Sequence, residues 1–322
     1  MFSWFSMEKN CGKIVLYRKA KEACKMRLVG CVPNFSEGRN KTKINSIVEE
    51  IKKIDGVKLI DVSTDYNHNR TVVTFLGEPE EVAVAAYNAC RRAVELIDMS
   101  KHTGEHPRMG AVDVVPFVPV KDVTMEECIE LAEELGRKIG GELHIPVYLY
   151  EAAATKPERE DLAYIRKGQY EGFFDKIKQP GWEPDFGPRE VNIKSGVTAV
   201  GARPPLIAFN VNLNTQNLDI AKNIARAVRN SSGGFRYVKA VGVNLEDKKM
   251  VQVSMNMTDY KKTPLHRVYE LIKAEASRYG VSIAETEIVG LVPSEALLET
   301  AVSYLQLHGF RNEQILENHI YE

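Results

Sequence analysis

Apolar residues recur along this chain at two spacings, every second position and every third or fourth, and the switch between them predicts its elements. Arg27 to Val32 is short and apolar and stops as a strand at Pro33, with Asn34 to Gly38 as a polar turn. Ile44, Ile47, Val48 and Ile51 mark a helix from Lys43 to Lys53, closed by Gly56. Val57 to Val62 and the β-branched run Thr71 to Leu76 read as strands flanking a polar loop from Asp65 to Arg70. Glu80 to Ile97 is a helix with Val82, Ala86, Ala89, Ala93 and Leu96 on one side. Ala111 to Val120 alternates as a strand that Pro116 and Pro119 assign to an edge or a bulge. Thr124 and Glu127 form a capping box that opens a helix reaching about Ile139. Val147 to Tyr150 is a short strand, Glu158 to Ile165 and Tyr170 to Ile177 are helical, and Gln179 to Gly196 is a loop.

After Gly201-Ala202-Arg203-Pro204-Pro205 the pattern restarts. Strands at Leu206 to Leu213, Val238 to Leu245, Met250 to Met257 and Glu285 to Leu291 enclose helices at Leu218 to Arg229 and Leu265 to Tyr279. That β-α-β-β-α-β order is the split ferredoxin-like arrangement. Ser294 to Leu305 reads as a closing helix. The expected fold class is therefore α/β (α+β): two ferredoxin-like subdomains, residues 27–204 and 205–322, each a mixed sheet with helices, with a substrate cleft between them. Residues 1–26 mix Lys and Arg with short apolar pieces and lack the apolar core of a signal peptide. They are expected to be a disordered extension or a start-site artefact, Met7 and Met26 being alternative starts.

A chain of 322 residues with 44% hydrophobic and 27% charged residues has the balance of a globular protein. Its net charge of -1 offers no global field for nucleic acid or an anionic membrane, so anionic ligands must meet local Lys and Arg clusters. The cysteines, Cys11, Cys24, Cys31, Cys90 and Cys128, are odd in number and form no CxxC pair, which argues against a disulfide framework or zinc knuckle and fits a reducing cytoplasm. No apolar run approaches the roughly 18 residues that span a bilayer. No GxGxxG or Walker sequence points to a dinucleotide or nucleoside triphosphate.

Chemistry concentrates in His102-Thr103-Gly104-Glu105-His106-Pro107-Arg108-Met109-Gly110. Pro107 forces His106 toward an extended conformation, so this is a turn, expected to hold His106 and Arg108 on the surface side of the chain. Histidine transfers protons in both directions near neutrality, and arginine offers a planar fork to a carboxylate. The HxxxH spacing would suit zinc on a helix, but Gly104 and Pro107 break that helix, so no metal is expected. Asp65 reads either as the carboxylate that orients His106 or as an Asx-turn residue. Asn34 reads either as a ligand-binding amide or as turn chemistry after Pro33, and Arg70, Arg108 and Arg203 either as carboxylate-binding cations or as solvated charges. His68 is read as a supporting group behind the site, and His144, His266, His308 and His319 as structural or surface residues.

The turn Gly104-Glu105-His106-Pro107-Arg108-Met109-Gly110-Ala111 resembles that of the glutamate formimidoyltransferases, a family also found fused to a cyclodeaminase. So do Cys31-Val32-Pro33-Asn34-Phe35-Ser36-Glu37-Gly38, Asp185-Phe186-Gly187-Pro188, Gly201-Ala202-Arg203, Ile207-Ala208-Phe209-Asn210 and Val289-Gly290-Leu291-Val292-Pro293. The resemblance implies transfer of a formimidoyl group from N-formimidoyl-L-glutamate to N5 of tetrahydrofolate, releasing L-glutamate. It implies His106 as the acid–base catalyst aided by Asp65, with Asn34, Arg70, Arg108, Gly187, Pro188, Gly196 and Arg203 binding the substrate and folate. The bifunctional enzymes place an acidic residue where this chain has Ser63, and an aromatic where it has Ser195. Tetrahydrofolate is then a co-substrate, no metal takes part, the assembly is a cytoplasmic homodimer, and the product passes to a separate cyclodeaminase. The rival readings are formyl transfer between a formylated folate and glutamate, and a folate-binding module without catalysis.

Overall fold

The structure, a computed structural model, describes residues 27–319, so the reading of residues 1–26 lies outside the described residues. The chain divides into two compact units, the first ending at Arg203 and the second beginning at Pro204.

The first unit is built on a seven-stranded sheet. Its strands are β1 (Leu28–Cys31), β2 (Asn34–Phe35), β3 (Lys58–Asp65), β4 (Arg70–Gly77), β5 (Val112–Lys121), β6 (Val147–Glu151) and β7 (Thr198–Ala202). β1 and β2 are two pieces of one line, interrupted at Val32-Pro33, and both pair antiparallel with β4 on one side and β5 on the other. β3 extends the sheet beyond β4, while β7 and β6 add parallel strands beyond β5. The helices are α1 (Lys41–Lys52), α2 (Pro79–Leu96), α3 (Met125–Glu142), α4 (Leu162–Arg166) and α5 (Gln169–Lys176). Taking β1 and β2 as one strand, the run through β5 is a β-α-β-β-α-β unit, and α3 through β7 is an addition to it.

Local chemistry sets the helix starts. Asn40 caps α1 by accepting from the backbone N–H groups of Thr42 and Lys43, and α3 opens on the Thr124/Glu127 capping box. The small residues Ala85, Ala86, Ala89 and Ala93 of α2 join a core with Val29, Val73, Phe75 and Phe117.

Several features differ from expectation, among them the helix read at Glu158 to Ile165, which is a 3-10 turn at Pro157–Arg159 followed by the short α4. Of the edge or bulge read for β5, the edge gives way to an interior position with pairing on both sides, while its pairings with β1 and β2 each carry a bulge-like register shift. Val32 N–H donates to the Pro116 carbonyl at 3.2 Å, but Pro116 has no N–H to return. Asn34 Nδ2 donates to the Val32 carbonyl at 3.1 Å instead, and this amide is how the interior strand accommodates its proline. Asn34-Phe35, read as turn, is a two-residue strand. β7 was not predicted at all; its buried run Thr198-Ala199-Val200-Gly201-Ala202 carries no alternation, because a parallel strand covered on both faces has no polar side.

The second unit holds β8 (Ile207–Leu213), α6 (Leu218–Val228), β9 (Val238–Leu245), β10 (Met250–Met257), α7 (Leu265–Arg278), β11 (Ile283–Val289) and α8 (Ser294–Leu305). Its four strands lie in the order β11-β8-β10-β9, the ferredoxin-like arrangement read from sequence. Every pairing in this sheet is antiparallel, so the mixed character is confined to the first unit. Ile207, Phe209, Val211 and Leu213 of β8 face a core shared with Ile224, Val228, Val268 and Ile272. Among the described residues no helix is long and apolar enough to cross a membrane.

Candidate active site

Three loops of the first unit are tied together by Asn69, which closes the β3–β4 hairpin at φ 50°, a conformation asparagine tolerates. Asn69 Oδ1 accepts from Gly38 N–H at 2.8 Å, and its Nδ2 donates to the Thr103 carbonyl at 2.9 Å. His102 Nε2 lies 3.1 Å from the Asn69 carbonyl, and Glu105 N–H donates to the Asn67 carbonyl at 3.2 Å. A Cβ on Gly104 would lie 2.4 Å from the His68 carbonyl, so only glycine lets the turn approach the hairpin this closely. Ser36 Oγ donates to the Gly110 carbonyl at 2.7 Å, fixing the far end of the turn.

The turn does not lie on the surface as expected: His106 and Arg108 are each only 8% exposed. Burial pushes the His106 imidazole from its ordinary 6.5 down to about 4; Asp113 opposes this, while Arg70, Arg166 and His68 add to it. The unliganded protein thus presents a neutral imidazole, a proton acceptor rather than the evenly poised group the sequence suggested. His68 stands beside it, edge to face, with ring centroids 6.4 Å apart.

Asp65 is directed at His68, not at His106. Its Oδ1 accepts from His68 N–H at 2.8 Å, and its Oδ2 lies 2.9 Å from His68 Nδ1. Burial raises the Asp65 carboxyl, and the contacts from His68 outweigh this, leaving it below its usual range. Of the two sequence readings of Asp65, the turn bond is present, whereas the carboxylate positions the ring of His68, which faces His106, and not His106 itself.

Asp113, 1% exposed at the start of β5, escaped the sequence reading. Its Oδ1 accepts from Met109 N–H at 2.9 Å, and its Oδ2 pairs with Arg166 Nη2. Arg70, across the hairpin from Asp65, feels the charges of Arg166, Asp113 and Asp65 after the larger effect of its own burial. Arg108 is occupied by the chain itself. Its Nη1 and Nη2 donate to the two Glu171 oxygens at 2.9 and 2.6 Å, Nη1 also reaches Gln169 Oε1 at 3.0 Å, and its Nε points to His102 Nδ1 at 3.4 Å.

Of the loop residues, Gly196 reaches this turn and Gly187 lies elsewhere. Gly196, at φ 73°, sits where a Cβ would be 2.2 Å from the Met109 carbonyl, and Ala111 N–H donates to Ser195 O at 2.8 Å. Gly187 packs against the Ile145 carbonyl and Gly140, with Pro188 following it. The preceding Asp185 accepts from the buried Arg159 at 2.7 Å and from Leu149 N–H at 2.8 Å, which anchors the loop. Arg203 N–H donates to the Phe117 carbonyl at 3.0 Å, and its side chain neighbours Tyr150. Asn34 spends its amide N–H on Val32. Among the described residues no group of three His, Cys, Asp or Glu side chains could hold a metal ion.

Arg166 and Glu171 were missed because each lies far in sequence from its partner at the turn, and Asp113, four residues from Met109, because it sits inside an apolar strand. The only signal was a lone Asp in the Val, Pro and Phe run of residues 112–120, since a buried carboxylate requires a partner.

Fold and site together describe an α+β protein with a buried imidazole under the influence of Asp113, Arg70 and Arg166. Residues 28–203 match the N-terminal subdomain of the formiminotransferase domain, and residues 208–319 match the formiminotransferase domain. The chain is 51% identical over 295 residues to the glutamate formimidoyltransferase of Streptococcus pyogenes serotype M1, covering 91% of this chain and 99% of that protein. It is 53% identical over 294 residues to that of Thermoplasma acidophilum, covering 91% and 97%. Against the formimidoyltransferase-cyclodeaminase of Mus musculus it is 46% identical over 283 residues, covering 86% of this chain and 52% of the relative. The chain belongs to the formiminotransferase domain family.

Proposed function

We propose that this chain transfers the formimidoyl group of N-formimidoyl-L-glutamate to N5 of tetrahydrofolate, giving 5-formimidoyltetrahydrofolate and L-glutamate. The observation that carries the reading is the buried, neutral His106 in the Gly104–Gly110 turn, within a chain similar over nearly its whole length to glutamate formimidoyltransferases.

The chemistry follows from the bonds that change. N5 attacks the amidine carbon and becomes positively charged, so its proton turns acidic and even a weak base such as His106 removes it. The carbon–nitrogen bond to glutamate then breaks as the departing nitrogen gains a proton, and the imidazolium that forms at His106 is a strong enough acid to supply it. One proton leaves N5 and one reaches the amine, so the sequence balances with no cofactor beyond the folate that accepts the group. Asp65 and His68 act on this exchange from behind, by position and charge. Holding both substrates together supplies a further part of the acceleration.

In this reading residues 27–204 and 205–322 serve as the two formiminotransferase subdomains. Gly187, Pro188, Gly196, Asn34 and Arg203 contribute to folate or substrate binding, and no metal takes part. The enzyme acts in the cytoplasm as a homodimer, and a cyclodeaminase consumes its product, a step supported by the relatives that carry both names on one chain.

The test is an absorbance assay with purified protein, tetrahydrofolate and N-formimidoyl-L-glutamate, with N-formyl-L-glutamate run alongside. Formation of 5-formimidoyltetrahydrofolate with release of glutamate is expected. Turnover of the formyl donor alone would replace the transferred group, and folate binding without turnover of either donor would remove catalysis from the reading.

A further inference from the structure

We propose that Arg70 and Arg166 form the subsite that receives the α-carboxylate of the amino-acid donor beside His106, an assignment that rests on the transfer reaction proposed above. The inference begins from a surplus of donors. Asp113 is the buried carboxylate of this cluster, and both its oxygens are engaged, one by Met109 N–H and one by Arg166 Nη2. Arg166 Nε is buried without a hydrogen-bond partner among the described residues. The Arg70 guanidinium, largely desolvated, forms no side-chain hydrogen bond or ion pair with another described residue, and Asp65 across the hairpin is turned to His68. Two guanidinium groups with one carboxylate between them, one carrying a buried Nε without a partner, are an arrangement an anion would complete. Arg108 is the contrast, since Glu171 already fills its fork.

The ligand chemistry is a carboxylate, and two substrates carry one. The α-carboxylate of the donor is two bonds from the nitrogen that leaves, so a site adjoining the proton-transfer group suits it. The tail carboxylates of a folate lie across a benzoyl ring from N5 and belong farther from the imidazole.

Occupancy would also change the base. The charged and titratable groups facing His106 are Asp113 from β5, Arg70 from β4, Arg166 from α4 and His68 from the hairpin turn. A carboxylate bound to the two arginines offsets the charges that oppose protonation of His106. The imidazole then becomes a stronger base only once the donor is in place.

The experiment follows the His106 ring by NMR in full-length protein labelled at histidine, titrated with pH alone, with L-glutamate and with p-aminobenzoyl-L-glutamate, and measures L-glutamate binding by calorimetry. Saturating L-glutamate should move the His106 titration to higher pH, and p-aminobenzoyl-L-glutamate should not. Arg166→Met and Arg70→Met should each weaken L-glutamate binding on the order of 10²-fold. Arg70→Met leaves the Asp113–Arg166 pair intact, so its result does not depend on that pair's contribution to folding. Unchanged affinity in Arg70→Met, or a His106 response to p-aminobenzoyl-L-glutamate alone, would overturn the subsite. Because no folate is present, the outcome is independent of whether the formimidoyl group is transferred.

Discussion

His106 is held between groups of both signs, and its burial has a thermodynamic consequence apart from catalysis. The folded imidazole titrates near 4 and the unfolded one near 6.5, so between those values the unfolded chain binds more protons. Stability conferred by the neutral ring is complete above 6.5 and is lost as pH falls toward 4, by about 2–3 kcal/mol at pH 4.5. Urea unfolding at pH 7 and pH 4.5 should show wild type losing that much more stability than His106→Asn; equal losses would mean the ring is not desolvated. Kinetics should carry the same mark. The acid limb of kcat/KM, which reports the free enzyme, should lie near 4, and that of kcat should lie higher if the donor carboxylate offsets Arg70 and Arg166. His106 was legible in the sequence because Gly104, Pro107 and Arg108 frame it within one turn. Asp113 and Arg166 were not, since a buried charge pair between β5 and α4 leaves no local pattern.

At the level of elements, hydrophobic periodicity located the helices well because their buried stripes repeat over several turns, as in Ile44, Ile47, Val48 and Ile51 of α1. It failed where a strand's environment is set by its neighbours. β5 carries two prolines yet lies inside the sheet, because Asn34 takes over the bond that Pro116 cannot make. Asn34→Ala would leave the Val32 carbonyl unpaired and should cost about 1–3 kcal/mol in urea unfolding; a change within 0.5 kcal/mol would show that solvent replaces the amide. The approach of the catalytic turn to the hairpin is equally specific. In Gly104→Ala the added methyl meets the His68 carbonyl, displacing His106 from His68. Turnover should fall at least about 10²-fold, as a misplacement near 1 Å does, with the circular dichroism spectrum retained. Wild-type turnover in that variant would show that the approach is unnecessary.

On the scale of the whole molecule, the chain uses the same β-α-β-β-α-β plan in both units, each with its own core. The second unit is legible from sequence because its antiparallel strands alternate; of the parallel strands added to the first unit, β6 is legible as a short apolar run, while β7 is hidden in a continuous apolar stretch. Residues 204–322 expressed alone should unfold cooperatively in urea; a non-cooperative transition would show that this core depends on the first unit. Formimidoyl transfer routed through one imidazole of the first unit is open to a direct check in His106→Ala, by turnover together with tetrahydrofolate binding. In that variant kcat for formimidoyl transfer should fall about 10²–10⁴-fold while tetrahydrofolate affinity stays within a few-fold of wild type. Turnover at the wild-type rate would contradict that route and remove His106 from the mechanism.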